Sequence, residues 1–412
     1  TLGGLVGINQ ASLSSLATIL DSHTSGTVSG NLLTNDLGGM GGLAGANNGG
    51  VIQNSGSTSS VVSYSAKRNI GGLVGVNHNG LLDSVRSSGT VSASNANNAG
   101  GLVGVNSGVI TQGHSSGQVV GTTNSTIGGL IGLNTGGTVS DSTASGKVDN
   151  YEGANTGGLV GANHNSTLRN VQASGDGVED NWNAGNIGGL VGYNGDGSLI
   201  QNGVASSATV NAYYPNSGTR IGGLVGANGG TIEYGVSSVA DVRAGEYATI
   251  GGLVGENHGR ISGSSSASTV QAGSYSVAGG LVGQNSGTIT AGYASGIVAG
   301  DSYATVGGLV GHNLLRGIID YSSAAGRVTG AQSGWSSYWG YGMTMGGLVG
   351  LNEGRATYSQ TSTQVDFAPG QSQTFGALVG VNAGAMLGNT VSASASQVPL
   401  AGANYGMIDM SW

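Results

Sequence analysis

Three histidines, His78, His164 and His258, stand at one place, directly after the Asn of a recurring Gly-Gly-Leu-Val-Gly-x-Asn string. Recurrent imidazoles invite a metal reading, because zinc takes imidazole nitrogens at about 2 Å. These copies are three repeats apart, so in a stack with ~4.8 Å per layer they are separated by roughly 14 Å and cannot share an ion. The acidic residues are the next candidates. Glycosidases and polysaccharide lyases need carboxylates about 5 to 9 Å apart, or Asp with Arg or Lys on adjacent layers. Only Asp149/Glu152 and Glu179/Asp180 cluster in neighbouring repeats. Calcium wants about six to eight oxygens at ~2.4 Å. The chain lacks the Asp in every turn that a calcium β-roll carries, which leaves Asp176, Glu179 and Asp180 as one isolated candidate. The Gly-rich strings do not form a phosphate loop, since the Gly146-Lys147 pair is followed by Val148 and no such string opens a helix. No catalytic, cofactor-binding or metal set is assigned, and no cofactor is expected.

Aromatic residues are better placed for binding. Before the glycine pair of successive repeats stand Tyr151, Trp182, Tyr213, Tyr214, Tyr247, Tyr275 and Tyr303, then Trp335, Tyr338, Trp339 and Tyr341. Tyr247, Tyr275 and Tyr303 share one offset, four residues ahead of the motif. The whole set is expected on one edge, together with the insertions that precede Gly222 and Gly346. Repeat proteins commonly place insertions on a binding face, and these rings combine area with a polar handle. Two readings stay open: rings that stack on one another and shield a corner, or a surface for a glycan, a protein partner or self-association.

The motif that positions these residues begins at Gly3, Gly41, Gly71, Gly100, Gly128, Gly157, Gly188, Gly222, Gly251, Gly279, Gly307, Gly346 and Gly376, with a degenerate copy at Leu400–Asn404. Starts lie 28 to 31 residues apart except for longer spacings after Gly3, Gly188 and Gly307. Within a repeat, three short apolar segments, such as Gly101-Leu102-Val103, Val109-Ile110 and Gln118-Val119-Val120, are separated by Gly, Ser and Asn, which form turns. This pattern predicts an all-β, right-handed parallel β-helix of about 14 coils, three short strands per coil. One coil alone cannot fold. A few inward aliphatics at roughly 2 kcal/mol each do not offset about 1 kcal/mol of backbone entropy per residue, so the coils must stack. The reading is of one solenoid domain over residues 1–412, expected to be a piece of a longer chain, because Thr1 lies two residues before a motif.

The Asn that closes each motif recurs as Asn9, Asn47, Asn77, Asn106, Asn134, Asn163, Asn194, Asn228, Asn257, Asn285, Asn313, Asn352 and Asn382. Stacked in register, such amides bond along the axis; a polar groove for a ligand would instead require them exposed. The motif leucines are expected inside. Strict alternation puts Leu and Asn on one face and Val with the variable residue on the other. Either a bulge turns both Leu and Val inward, or the Val row is a contact surface.

Composition narrows the function classes. With 85 Gly, 3 Pro, 7% charged and 37% hydrophobic residues, a mainly helical fold, a collagen helix and a disordered chain are excluded. The net charge is -8 and the 11 basic residues form no run, so nucleic acid is not an expected partner. No apolar run approaches the ~20 residues of a membrane span, and membrane insertion is not expected. The lack of Cys suits export through an oxidising periplasm.

At this motif the sequence resembles the GLUG repeats of large exported bacterial proteins, found in filamentous-haemagglutinin-like adhesins of the two-partner secretion type and in some immunoglobulin A proteases. That resemblance implies surface display, adhesion or matrix building by a long solenoid. The expectation is a non-enzymatic extracellular or cell-surface solenoid, the stalk or binding shaft of an adhesin or surface filament. A β-helix polysaccharide lyase or glycosidase is the alternative. An ice-binding array is disfavoured, because Thr126, Thr249, Thr305, Thr344 and Thr374 give one broken column.

Overall fold

The computed structural model describes residues 1–30, 39–64, 69–94, 98–182, 184–207, 209–239, 241–330, 342–366, 373–392 and 398–410. Among these residues every regular element is a β-strand. Two compact units divide the chain, Thr1–Ala208 and Thr209–Trp412.

In the first unit, one coil runs through five short strands: Asn98–Gly100, Val103–Asn106, Val109–Thr111, His114–Ser115 and Val119–Gly121. Each pairs in parallel with its counterparts in the coils before and after. Val103, for instance, sits between Val74 and Ile131, and Ile110 between Leu82 and Val139. The second unit repeats the pattern, as in Thr249–Gly251, Val254–Asn257, Arg260–Ser262, Ser265–Ser266 and Thr269–Ala272. These are the expected stacked parallel coils, divided more finely than the three sequence segments. The segment containing the motif is two strands meeting at a bend, and the middle segment is followed by a further two-residue strand.

The bend decides where Leu and Val go. The N–H groups of Leu102 and Val103 both donate to the carbonyl of Leu130 in the next coil, at 2.9 Å each. Consecutive N–H groups of an extended strand point in opposite directions, so two aimed at one carbonyl mark a break in the alternation. The break turns both side chains inward. Leu102 and Val103 are fully buried, as are Leu73, Leu130, Leu159 and Leu190 in the first unit and Leu224, Leu253, Leu281 and Leu309 in the second. The Val row is core and not a contact surface.

Glycine makes that bend possible. A Cβ on Gly100 would lie 2.1 Å from the carbonyl oxygen of Val103, and one on Gly104 would lie 2.5 Å from the backbone nitrogen of Ile70. The two strands that flank the bend thus approach backbone to backbone, a distance only Gly permits. Around them the core is a set of aliphatic columns, including Leu82, Ile110, Val139 and Leu168 on the third strands and Val91, Val119, Val148 and Val178 on the fifth.

Because Leu190 is fully buried, Leu190→Ala should cost about 2–5 kcal/mol. Leu190→Asp should unfold the coils around it, since an unpaired carboxylate has no solvation there. Circular dichroism melts of the two variants check this. A Leu190→Asp protein that melts like the parent would contradict the inward assignment.

Candidate functional surfaces

Each motif strand carries its Asn at the last position or one before it, and the side chain meets the Asn of the next coil. In the first unit the Nδ2 group of Asn9 donates to Oδ1 of Asn47, and the relay continues through Asn77, Asn106, Asn134, Asn163 and Asn194, every link 2.8 or 2.9 Å. In the second unit Asn228, Asn257, Asn285, Asn313, Asn352, Asn382 and Asn404 are linked in the same way. The other N–H of the amide holds the turn, as when Asn77 donates to the carbonyl of Gly80 at 3.1 Å. From Asn47 to Asn382 these amides have no exposed surface. They do not line a ligand groove.

The histidines after the ladder are separately engaged. His78 meets Ser107, His164 packs at 5.2 Å from the ring of Tyr193, and His258 lies 3.1 Å from Glu256. Among the described residues no group of three or more His, Asp or Glu side chains could hold a metal ion.

The acidic cluster splits across its strand. In Val178–Asp180, alternation sends Glu179 outward, where it pairs with Lys147 at 2.8 Å, and Asp180 inward. Asp180 closes a buried polar chain spanning three coils. Ser125 Oγ lies 2.9 Å from Asn150 Oδ1, Asn150 Nδ2 donates to Thr156 Oγ1 at 3.0 Å, and Thr156 Oγ1 donates to Asp180 Oδ2 at 3.0 Å. The N–H of Gly153 adds a bond of 3.1 Å to the same carboxylate. Room for Asn150 comes from Gly121 below it, whose Cβ would lie 2.7 Å from Asn150 Oδ1. Burial pushes the Asp180 carboxyl up from 3.8 to about 7, outweighing the hydrogen bonds from Thr156, Gly153 and Trp182 that pull it down. Sequence reading grouped Asp180 with Glu179 by proximity and did not see that they face opposite sides.

The aromatic residues divide into columns. Tyr247, Tyr275 and Tyr303 stack with centroids 5.1 and 4.9 Å apart and planes within 8° and 9°. All three are exposed on one side and hold positive φ, 63°, 60° and 60°, a conformation that is strained for a bulky residue. The next coil carries Gly342 at that position, and a Cβ there would lie 2.6 Å from the Tyr303 ring, so the ring is seated on glycine. Trp182 stands exposed after Val178–Asp180 in the first unit, and Tyr213 and Tyr214 stand exposed after Thr209–Ala212 in the second. Trp335, Tyr338, Trp339 and Tyr341 lie outside the described residues. A second column escaped the sequence reading. Tyr321 and Tyr358 stack at 5.4 Å with φ of 49°, and Tyr234, with φ of 54°, occupies the corresponding turn between third and fourth strands. Its signal was a fixed offset: Tyr234 and Tyr358 each follow a ladder Asn by six residues.

The family model of the GLUG motif matches residues 123–149 and 302–329. Each match covers one turn of the coil, and the chain is similar to that family over these segments. No curated protein and no solved structure matches the chain. The GLUG matches and the β-solenoid fold fit a secreted structural protein in general.

Two outcomes follow from the buried polar groups. Asn134→Ala removes one donor and one acceptor from the ladder, and each orphaned buried partner costs about 1–3 kcal/mol. The first unit should therefore lose roughly 2–5 kcal/mol, measured by urea denaturation; a loss within error of zero would remove the ladder as a stabilising element. Asp180 acts through pH. Its carboxyl keeps a proton up to about 7 in the folded state and only to 3.8 when unfolded. Its contribution is therefore full below pH 3.8 and falls through the window up to about 7, by roughly 4 kcal/mol. Asp180→Asn should flatten that dependence in melts from pH 4 to 8, and an unchanged slope would contradict it.

Proposed function

We propose that the chain is a non-enzymatic extracellular structural and adhesive solenoid, the stalk or binding shaft of a bacterial adhesin or surface filament. The observation that carries this reading is the allocation of residue types. Recurrent polar side chains are buried in stacking, as in the Asn relay, while the recurrent exposed side chains of the second unit are tyrosines. Stacked, partly exposed rings offer flat area at low entropic cost. Such area suits the apolar face of a sugar or an aromatic anchor on a protein surface. The sparse charge, 7% of residues, supports a contact made by shape and stacking.

The tyrosine column provides the test. Replacing Tyr247, Tyr275 and Tyr303 together by Gly removes the rings and relieves three positive-φ residues, so lost stacking of about 0.5–1.5 kcal/mol per pair is offset by backbone relief of about 1–2 kcal/mol per residue. The melting temperature should hardly move. Retention on glycan-coated or cell-derived surfaces, or lateral association seen by negative-stain microscopy, should fall severalfold. A variant that adheres and associates like the parent would contradict the reading. Reproducible release of reducing ends from polysaccharide by the parent would favour an enzyme.

A further inference from the structure

The outward side of the fourth strands in the first unit carries a groove that the sequence reading did not single out. Its rungs are His23, Gly56, Arg86, His114 and Thr143, in register on successive coils. A cavity of about 250 Å³ opens there, with Gly56 as its floor. A Cβ on Gly56 would meet Arg86 Cγ at 2.9 Å and His23 Cδ2 at 3.4 Å, so both side chains lean over the gap that glycine leaves. His114 Nδ1 is held by Thr143 Oγ1 at 2.6 Å. The hydroxyl-bearing Thr58, Ser88 and Ser116 line the far wall.

The guanidinium of Arg86 makes no ion pair and no hydrogen bond among the described residues. The carboxylate of Asp83, three residues before it in sequence, is engaged by Gln53 at 2.9 Å and by Thr111 at 2.7 Å. A free guanidinium presents a planar fork matched to an oxyanion. In the second unit a groove on the same fourth-strand side, with Tyr293, Ser323, Gln360 and Thr390, is neutral. The cationic character thus belongs to the Arg86 groove and not to the fold.

We propose that the Arg86 groove binds the acidic group, carboxylate or sulfate ester, of an anionic polysaccharide. Arg86 takes the oxyanion, the rings of His23 and His114 flank it, and the hydroxyl wall meets sugar hydroxyls. A single unpaired arginine in a chain of net charge -8 cannot neutralise the dense phosphates of a nucleic acid or an anionic membrane surface. It matches a ligand that carries isolated acidic groups among many hydroxyls. The groove is independent of the tyrosine column, and either can fail without the other.

Calorimetric titration of the full chain with a uronic-acid oligosaccharide, a sulfated oligosaccharide and a neutral one of equal length tests this. At least one acidic ligand should bind about tenfold more tightly than the neutral one, and which of the two binds identifies the oxyanion. Arg86→Gln should lose about tenfold or more in affinity. Gly56→Ala should weaken binding severalfold by displacing Arg86. Both should melt like the parent, because Arg86 is exposed and the one tight contact of the new methyl, 2.9 Å to Arg86 Cγ, is with a flexible stem, the others being ordinary contacts at 3.4 Å. The triple tyrosine variant should bind these ligands unchanged. Equal binding by Arg86→Gln, equal binding of the neutral ligand, or no binding of either acidic one at millimolar concentration would overturn the proposal. So would tighter, Arg86-dependent binding of a phosphopeptide or of phosphatidylserine vesicles.

Discussion

Parallel, in-register stacking places every residue of a coil directly on its counterpart in the next, ~4.8 Å away. The other features of each unit follow from that constraint. A side chain is tolerated at a rung only if it can pack on a copy of itself or on whatever replaces it. Asn satisfies this inside the fold, because its amide both donates and accepts along the stacking direction, as the relay from Asn47 to Asn194 shows. Leu and Val satisfy it through dispersion. Gly satisfies it where backbones meet, at Gly100 and Gly104. Tyr satisfies it outside, ring on ring, at the cost of positive φ at Tyr247, Tyr275 and Tyr303.

Rungs that depart from self-matching are where function is best sought. Ionised side chains stacked on like charges repel, which disfavours them at repeated rungs; where Asp149 and Glu179 do meet in register, Lys147 reaches both. Several others pair with an opposite charge, across coils as Arg220 with Glu256 or within a strand as Arg243 with Asp241, while Arg86 stands against Gly56. Asp180 is the inward exception. Its column has Gly121 and Asn150 where neighbouring coils use apolar or small residues, and the local loss of volume lets a carboxyl group be hydrogen-bonded in the core. Burial there outweighs the bonds that it receives from Thr156 and Gly153, which favour the carboxylate.

Much of this was legible in the sequence, for a physical reason. When identical residues must meet, periodicity in the chain is periodicity in space, and the motif Leu row, the coil length and the parallel sheets could be read directly from the spacing. What did not follow was local phase. Alternation alone could not place Val, because the bend at Gly101 and Leu102 resets the inside–outside count; the motif glycines permit such a bend without requiring it, which left the inward Val row as one of two readings. Glu179 and Asp180, neighbours in one strand, face opposite sides by alternation, but which of them points inward depends on the phase of that strand. The second tyrosine column was hidden because Gly263 and Ala291 interrupt it and because Tyr321 follows its ladder Asn by eight residues where Tyr234 and Tyr358 follow theirs by six. The Arg86 groove depends on a glycine one coil from both a histidine and an arginine, a relation visible only once the register is known.

The exchange behaviour of the Asn side-chain amides tests the stacking account most directly. Nitrogen-resolved NMR of the chain transferred into deuterated water reads each amide group by itself. If in-register stacking holds the coils, the Nδ2 protons of Asn77, Asn106, Asn134 and Asn163 should persist far longer than those of the exposed Asn79, whose amide meets His78 beside it. Exchange of the motif amides at the rate of Asn79 would contradict the ladder, and with it the account of why these coils stack.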